Sequence, residues 1–348
     1  MKINLYDYDR ASLTEHLTNL GQKPFRSIQL FKWIYQKQMD DFNLMSDISV
    51  AFREKLLADY ALILPEIKTL QNSEDGTMKL LLTLEDGAAI ESVLMRYNYG
   101  NVACVSSQVG CNMGCKFCAS GLLKKQRNLT TAEMVGQVLV LNRLLAREKT
   151  PARVTHVVVM GTGEPFDNYE NVMRFIRLIN DPHALSIGAR HITVSTCGIP
   201  EKIRRYGREG LQVNLAISLH AANDELRDQI MPINRAYPLK KLIDAILDYE
   251  KNAGRRITFE YILLAGVNDS LHDADALAQL IKPTFAYVNL IPYNEVAEIP
   301  FRRSAEAVVT AFFDRLKKRG VNVTIRREFG ADIDAACGQL RAQEEGEK

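Results

Sequence analysis

Between residues 101 and 330 the chain alternates between two hydrophobic periods. Short apolar, β-branched runs read as strands: "ACVSSQ", "VTHVVVMG", "HITVST", "QVNLAISL", "RITFEYILL", "YVNLIP" and "NVTIRR". Between most of them lie stretches with helical spacing, such as "TTAEMVGQVLVLNRLLAR" and "PLKKLIDAILDYEKNAG". This alternation predicts an α/β fold, a parallel sheet covered by helices. About six βα units follow residue 120, fewer than the eight of a closed barrel. An open, partial (β/α)6-type barrel is therefore expected, with functional residues at the carboxyl ends of its strands.

The first sixty residues have a different pattern. "RSIQLFKWIYQKQ" carries apolar residues at helical spacing, and "SDISVAFREKLLADY" opens on a Ser/Asp cap. In "MKLLLTLEDGAAIESVLMRYNYGNVACVSSQVG" the β-type runs break at "EDG" and "NYG", which predicts antiparallel strands. The expected division is a small helical N-terminal accessory domain over 1–62, a short β extension over 63–100 and the partial barrel over 101–342. The last residues, 343–348, form a polar tail that should fray.

Composition narrows the class. Hydrophobic residues make up 47% of the 348 positions and charged residues 25%, as in a globular enzyme. The first residues lack an apolar signal core and no run of eighteen apolar residues occurs, so a cytoplasmic protein without membrane contact is expected. The net charge of +2 conceals basic runs at Lys124, Lys125 and Arg127, at Arg204, Arg205 and Arg208, at Arg302 and Arg303, at Arg315 to Arg319, and at Arg326 and Arg327. Most such runs are solvated helix faces. Their recurrence admits a nucleic-acid partner without choosing among them.

The six cysteines change the picture most. Three of them, Cys111, Cys115 and Cys118, fall within "VGCNMGCKFCASG", and no fourth follows for the next seventy residues. A structural zinc site takes four ligands, and an ordinary iron–sulfur cluster takes four thiolates. Three thiolates can instead hold three irons of a [4Fe–4S] cubane and leave the fourth iron free for an outside ligand. A zinc ion with a distant fourth ligand, or three core cysteines, are the alternatives. Beyond the loop, "VVVMGTGEPFDN" ends a buried strand in a glycine-rich turn with Gly163 and Glu164. "TVSTCGI", "AISLHA" and "IPYNEV" set Ser195, then Ser218, Leu219 and His220, then Asn294 at strand ends. Such polar side chains can bind ribose or carboxylate groups, or can cap the next helix. Cys197 reads as a core residue.

"CNMGCKFC" resembles the signature of the radical S-adenosylmethionine enzymes. In them the open iron of the [4Fe–4S] cluster takes the amino and carboxylate groups of S-adenosylmethionine, and a deoxyadenosyl radical results. The resemblance implies that Cys111, Cys115 and Cys118 ligate the cluster. It also implies that Gly163, Glu164, Ser195, Ser218, Leu219, His220 and Asn294 hold S-adenosylmethionine. "CVSSQVGCNMGCKFCASG", "MGTGEPFDNYENV", "ISLHAANDELRDQIMPIN", "VNDS", "NLIPYN" and "DIDAACGQL" are together similar to the RlmN/Cfr family of RNA adenosine methyltransferases, over nearly the whole chain. Pro165 favours its adenine-C2 branch over the C8 branch.

That resemblance implies targets at adenosine 2503 of 23S rRNA and adenosine 37 of tRNAs. It further implies that Cys337 takes a methyl group from one S-adenosylmethionine and that a second one, cleaved at the cluster, activates that methyl for addition to C2. Cys104 would then release the RNA by a transient disulfide with Cys337, and Glu91 would accept the C2 proton. Cys104 and Cys337 stand 233 positions apart, so the fold has to bring them together. A monomer and an electron donor such as flavodoxin complete the expectation. An activase that makes a glycyl radical on a protein, and a cluster- or zinc-stabilised RNA-binding module, are the rival readings. The activase would need the cluster but not Cys104 and Cys337, and the module would bind RNA regardless of S-adenosylmethionine and leaves "GTGEP" unexplained.

Overall fold

The computed structural model describes residues 2–335 and 338–340. Its centre is one ten-stranded sheet whose strands adjoin in chain order. These are β1 (Glu66–Asn72), β2 (Met78–Thr83), β3 (Ala89–Tyr97), β4 (Gly100–Cys104), β5 (Val154–Val159), β6 (Ile192–Thr196), β7 (Asn214–Ser218), β8 (Ile257–Leu263), β9 (Ala286–Pro292) and β10 (Val323–Ile325). Strands β1 to β4 pair antiparallel, and from β4 to β10 every pairing is parallel. The parallel part thus contains six crossovers, and β1 and β10 remain sheet edges. An open barrel is what the hydrophobic pattern predicted. The expected antiparallel strands also form, but they extend the same sheet.

Side-chain alternation along the parallel strands gives the sheet two unlike faces. Val194, Leu215, Ile217, Phe259, Tyr261, Val288 and Leu290 are buried against the helices. The alternate positions, such as Thr193, Asn214, Thr258, Glu260 and Asn289, line an open concavity. A closed eight-stranded barrel would fill this interior with branched apolar residues. Here the sheet does not close, and the inner face stays polar.

Each crossover helix shows why its sequence folds locally. Thr131–Ala146 starts with a capping box in which the Thr130 hydroxyl accepts from the Glu133 backbone and Glu133 reaches back to Thr130. Leu239–Ala253 stops at Gly254, whose φ of +62° suits glycine. Among the N-terminal residues, helix Phe25–Phe31 runs into a π-helical turn over Lys32–Gln36, where the sequence predicted one continuous helix. The wider turn buries Trp33, Ile34 and Tyr35 in succession. These helices share a core with the barrel: Leu5, Leu13 and Leu30 belong to the same buried cluster as Val138 and Ile176. No helix among the described residues is long and apolar enough to cross a membrane.

Candidate active site

The carboxyl ends of β4 to β9 converge on two adjoining cavities. The larger, with about 870 Å³ of empty volume, is lined by all three loop cysteines together with Gly163, Glu164, Ser195, Ser218 and His220. The second, about 670 Å³, is lined by Cys104, Cys118, Ser120, Asn294, Ala335 and Gly338. Cys118, Ser120, Met160, Gly161, Ile291, Arg326 and Gly338 border both. The topology therefore brings together residues spread from position 104 to position 338. Leu219 lies beneath the surface, fully buried, and lines neither cavity.

Close backbone approach explains the glycines after β5. A Cβ on Gly161 would stand 2.7 Å from the Ser106 hydroxyl, and one on Gly163 would stand 2.6 Å from Cβ of Gln108. Their absence lets the turn dock against the root of the cysteine loop. Thr162 N–H donates to Ser106 Oγ at 3.0 Å, and Glu164 N–H donates to Gln108 Oε1 at 2.9 Å. The loop itself is tied down at several points. Lys116 N–H donates to the Ile230 carbonyl at 2.9 Å, and Ala119 N–H donates to the Gly338 carbonyl at 2.8 Å. The Ser120 hydroxyl donates to the Leu340 carbonyl at 2.7 Å.

The three thiols are half-buried. Burial pushes the Cys111 thiol up to about 11 and that of Cys115 higher still, and the neighbouring thiols add to both. Such thiols stay protonated until a metal displaces the proton. Among the described residues no three His, Cys, Asp or Glu side chains are gathered closely enough for a single metal ion. A single zinc needs its thiolates about 2.3 Å from one point, whereas a cubane takes one thiolate at each iron corner. Three loop thiols spaced around one cavity suit the cubane.

Glu164 is buried at the cavity wall. Its Oε1 accepts from Thr196 Oγ1 at 2.6 Å and from Phe166 N–H at 2.9 Å, and its Oε2 accepts from Cys197 N–H at 2.8 Å. The carboxylate thus clamps the end of β5 to the end of β6, and burial raises its pKa against these donors. Cys197 is buried as expected, yet it also borders the cavity. His220 has a left-handed φ of +58°, unusual for a side chain of its size. Burial holds its pKa down at about 3, so the ring is neutral. Its Nδ1 accepts from Ile262 N–H at 3.0 Å, which leaves the proton on Nε2 as a donor. The ring stands edge-on to Phe117 of the cysteine loop, with centroids 4.8 Å apart. Ser195 and Ser218 hydroxyls lie 3.5 Å apart on neighbouring strands.

Cys104 is buried at the end of β4 and packs with Val93, Phe329, Ala335 and Leu340. Cys337 lies outside the described residues, as does any pairing it makes. Glu91 is buried on the same face of β3 as Val93, with Lys79 Nζ 3.7 Å from its carboxylate. That ammonium also reaches the Asp334 carbonyl, at 3.5 Å.

Two supporting residues escaped the sequence reading. Arg227, fully buried, donates to the carbonyls of Leu219 (3.0 Å), Cys197 (2.8 Å) and Ser218 (3.2 Å) and to Asn234 Oδ1 (2.9 Å). Asn268 donates to the carbonyls of His220 (2.8 Å) and Ile262 (2.7 Å) and accepts from Leu264 N–H (2.8 Å). "DELRDQI" reads as a charged helix face. Only its presence in a family-like stretch marked it.

An open parallel barrel with three cysteines at the mouth, a GTGEP turn and serines at strand ends defines a radical S-adenosylmethionine enzyme. The Radical SAM superfamily matches residues 105–281, and the ribosomal RNA large subunit methyltransferase N-terminal domain matches residues 3–63. A probable dual-specificity RNA methyltransferase RlmN from Spiroplasma citri is 52% identical over 343 residues, covering 99% of this chain and 98% of its own. The protein of the same description from Streptococcus pyogenes serotype M2 is 51% identical over 346 residues, covering 99% and 96%. The crystal structure of a radical SAM methyltransferase from Sphaerobacter thermophilus superimposes with a TM-score of 0.92 at 43% identity, over 98% of this chain and 100% of that one. The chain belongs to the RlmN family of radical SAM RNA methyltransferases. A [4Fe–4S] cluster and S-adenosylmethionine are that superfamily's cofactors.

Proposed function

We propose that this enzyme methylates C2 of adenosine, at position 2503 of 23S rRNA and position 37 of tRNAs, by way of a methylated Cys337. The observation that carries this reading is the position of the chain on either side of Cys337. Ala335 and Gly338 line one cavity with Cys104 and Cys118, and Gly338 is hydrogen-bonded to the cysteine loop.

The substrate's chemistry favours the same route. C2 of adenine lies between two ring nitrogens and is too electron-poor to attack a methyl sulfonium. Bound together, the cluster and S-adenosylmethionine supply a carbon radical able to take a hydrogen atom from a methyl group. Cys111, Cys115 and Cys118 would hold the cluster. Gly163, Ser195, Ser218 and the Nε2–H of His220 would orient S-adenosylmethionine along the strand ends, with Asn294 reaching in from the neighbouring cavity. The Cys337 thiolate attacks a sulfonium methyl and becomes a thioether. After that carbon has added to C2, the adduct radical loses one electron, to the redox chain that supplies the reductive cleavage, and its C2 proton, to Glu91, which restores the closed-shell base. The Cys104 thiolate then attacks the Cys337 sulfur, and a disulfide forms as the sulfur–carbon bond breaks. The electron pair leaves with the base, whose methylene is protonated to a methyl group. A low-potential donor such as flavodoxin would supply electrons. Glu164, whose acceptors are occupied by three donors, acts here as a positioning residue.

The test is product identity. Anaerobically reconstituted enzyme, given S-adenosylmethionine, reductant and protein-free 23S rRNA, should yield 2-methyladenosine. 8-Methyladenosine would place the chain with the C8 branch, and no methyladenosine at all would overturn the reading.

A further inference from the structure

The sequence could not rank its basic runs, but ion pairing does. Arg127 pairs with Asp86 and Glu133, Arg205 with Glu170, Arg208 with Asp248, and Arg303 with Glu328. Arg315 and Arg319 share Asp275. Those outer arginines are already neutralised. The concavity along the inner face of the parallel strands is different: Arg190, Arg255 and Arg256 line it just before β6 and β8, and Arg326 and Arg327 line it just past the carboxyl end of β10. Arg190, Arg255, Arg256 and Arg327 have no carboxylate within salt-bridge distance among the described residues. The one acid among the described residues lining the concavity, Glu260, lies 4.0 Å from Arg326 and accepts a hydrogen bond from Asn289. Unpaired cations in a polar groove call for a polyanion.

Aromatic rings edge the same groove. Phe329, Tyr97, Tyr99, His156 and His191 form an unbroken series of ring contacts, with centroids 4.4, 4.7, 5.0 and 4.1 Å apart in turn. Tyr97 lines the groove, and Tyr99 beside it is 59% exposed. Opposite, the Arg256 guanidinium lies 3.8 Å from the centre of the Tyr287 ring, and Phe285 is 66% exposed. Cations that track phosphates, beside rings on which bases stack, are the two elements of single-strand binding. The groove has about 1990 Å³ of empty volume and is continuous with the cofactor cavity, since Met160, Glu260 and Arg326 line both.

We propose that the arginine-lined concavity, open at the amino ends of β6 to β9, is where single-stranded RNA enters, its phosphates on Arg190 and Arg256 at that end and on Arg327 just past β10, and a base on Tyr99. The unstacked adenine would then pass Met160 and Arg326 to reach the cavity from the inner face of the open sheet. The inference rests on the RNA-methylating function proposed above and goes beyond it by choosing the surface. It places RNA on the unpaired inner arginines rather than on the outer helices.

The test is fluorescence anisotropy of cluster-loaded enzyme with S-adenosylmethionine and a labelled single-stranded RNA of about a dozen nucleotides, across a salt series. Arg190→Gln, Arg256→Gln and Arg327→Gln should each weaken binding three- to tenfold and reduce the salt slope by about one. Tyr99→Ala should cost about tenfold with the slope unchanged. Arg256→Lys, which keeps the charge, should keep the slope, and it guards against a variant that merely folds poorly. Arg205→Gln on the outer rim should bind as the parent does. Unchanged affinity and slope in the groove variants, or an equal loss in Arg205→Gln, would overturn the assignment. Parent enzyme that makes 2-methyladenosine while the groove variants bind normally refutes only the groove. Groove variants that lose RNA while no methyladenosine is formed refute only the proposed reaction.

Discussion

The two ends of the parallel sheet are built on opposite principles. At the carboxyl ends, buried polar groups around the cavity are held by one another: Glu164 by three donors, the His220 backbone by Asn268, and three strand-end carbonyls by Arg227. At the amino ends, Arg190, Arg255 and Arg256 line an open groove with no acidic partner in salt-bridge distance among the described residues, and rings stand exposed. A cofactor site gains from fixed geometry, because radical chemistry has to be aimed and shielded. An entry for RNA gains from unspent charge and accessible stacking surface. One sheet supplies both because it never closes, so its inner face stays polar and open beside the cofactor cavity.

The sharpest break in that comparison would come at the rigid end. Cys337→Ala should abolish methyladenosine formation, measured by digestion and mass analysis of the RNA, while cluster iron content stays at the parent level. Loss of the cluster in that variant would mean that the chain around Cys337 serves the loop structurally. Arg227→Met comes next. It removes the donor from three buried carbonyls, each of which costs about 1–3 kcal/mol when left unsatisfied. Denaturant unfolding should show a loss of about 3 kcal/mol or more. A loss under 1 kcal/mol would show that water replaces the guanidinium, and the carboxyl end would then be no more rigid than the groove.

A smaller effect is expected at Asn268→Ala, where His220 loses the clamp on a strained backbone. The KM for S-adenosylmethionine should rise by about tenfold, the equivalent of one good hydrogen bond, with little change in RNA affinity. If RNA affinity fell instead, the two ends would not be separable.

How much of this was legible in the sequence follows from the range of the interactions. The strand and helix periods, the three cysteines and the GTGEP turn are local patterns, and the fold places them as the sequence suggested. The π-helical turn at Lys32–Gln36 was not legible, because it answers to the burial of Trp33, Ile34 and Tyr35 rather than to helix propensity. Nor was Arg227. Beside Asp224 and Asp228 it resembles a solvent-facing charge, and only the crossing of β6 and β7 ends supplies the carbonyls it holds. The ring series joins positions 97, 99, 156, 191 and 329, which no window of sequence could connect.

Glu260 sits where the two regimes meet and provides the finest test of the boundary. It lines both the cofactor cavity and the groove. Burial raises its carboxyl pKa, and Arg326 and the Asn289 hydrogen bond only partly oppose this. A raised carboxyl pKa means that the fold keeps a proton which the unfolded chain has already lost. Stability from this group is therefore greatest in acid and declines as pH rises from the ordinary carboxylate value of 4.5 through the folded one. Glu260→Gln can still accept from Asn289, so it should fold and should flatten the slope of stability against pH just above 4.5. Glu164→Gln should flatten the same window, since burial raises that carboxyl too. It should also destabilise at every pH, because one amide oxygen cannot serve three donors on two sides. If Glu260→Gln leaves the slope untouched, water from the groove already reaches the carboxylate, and the open regime extends up to the edge of the cofactor cavity.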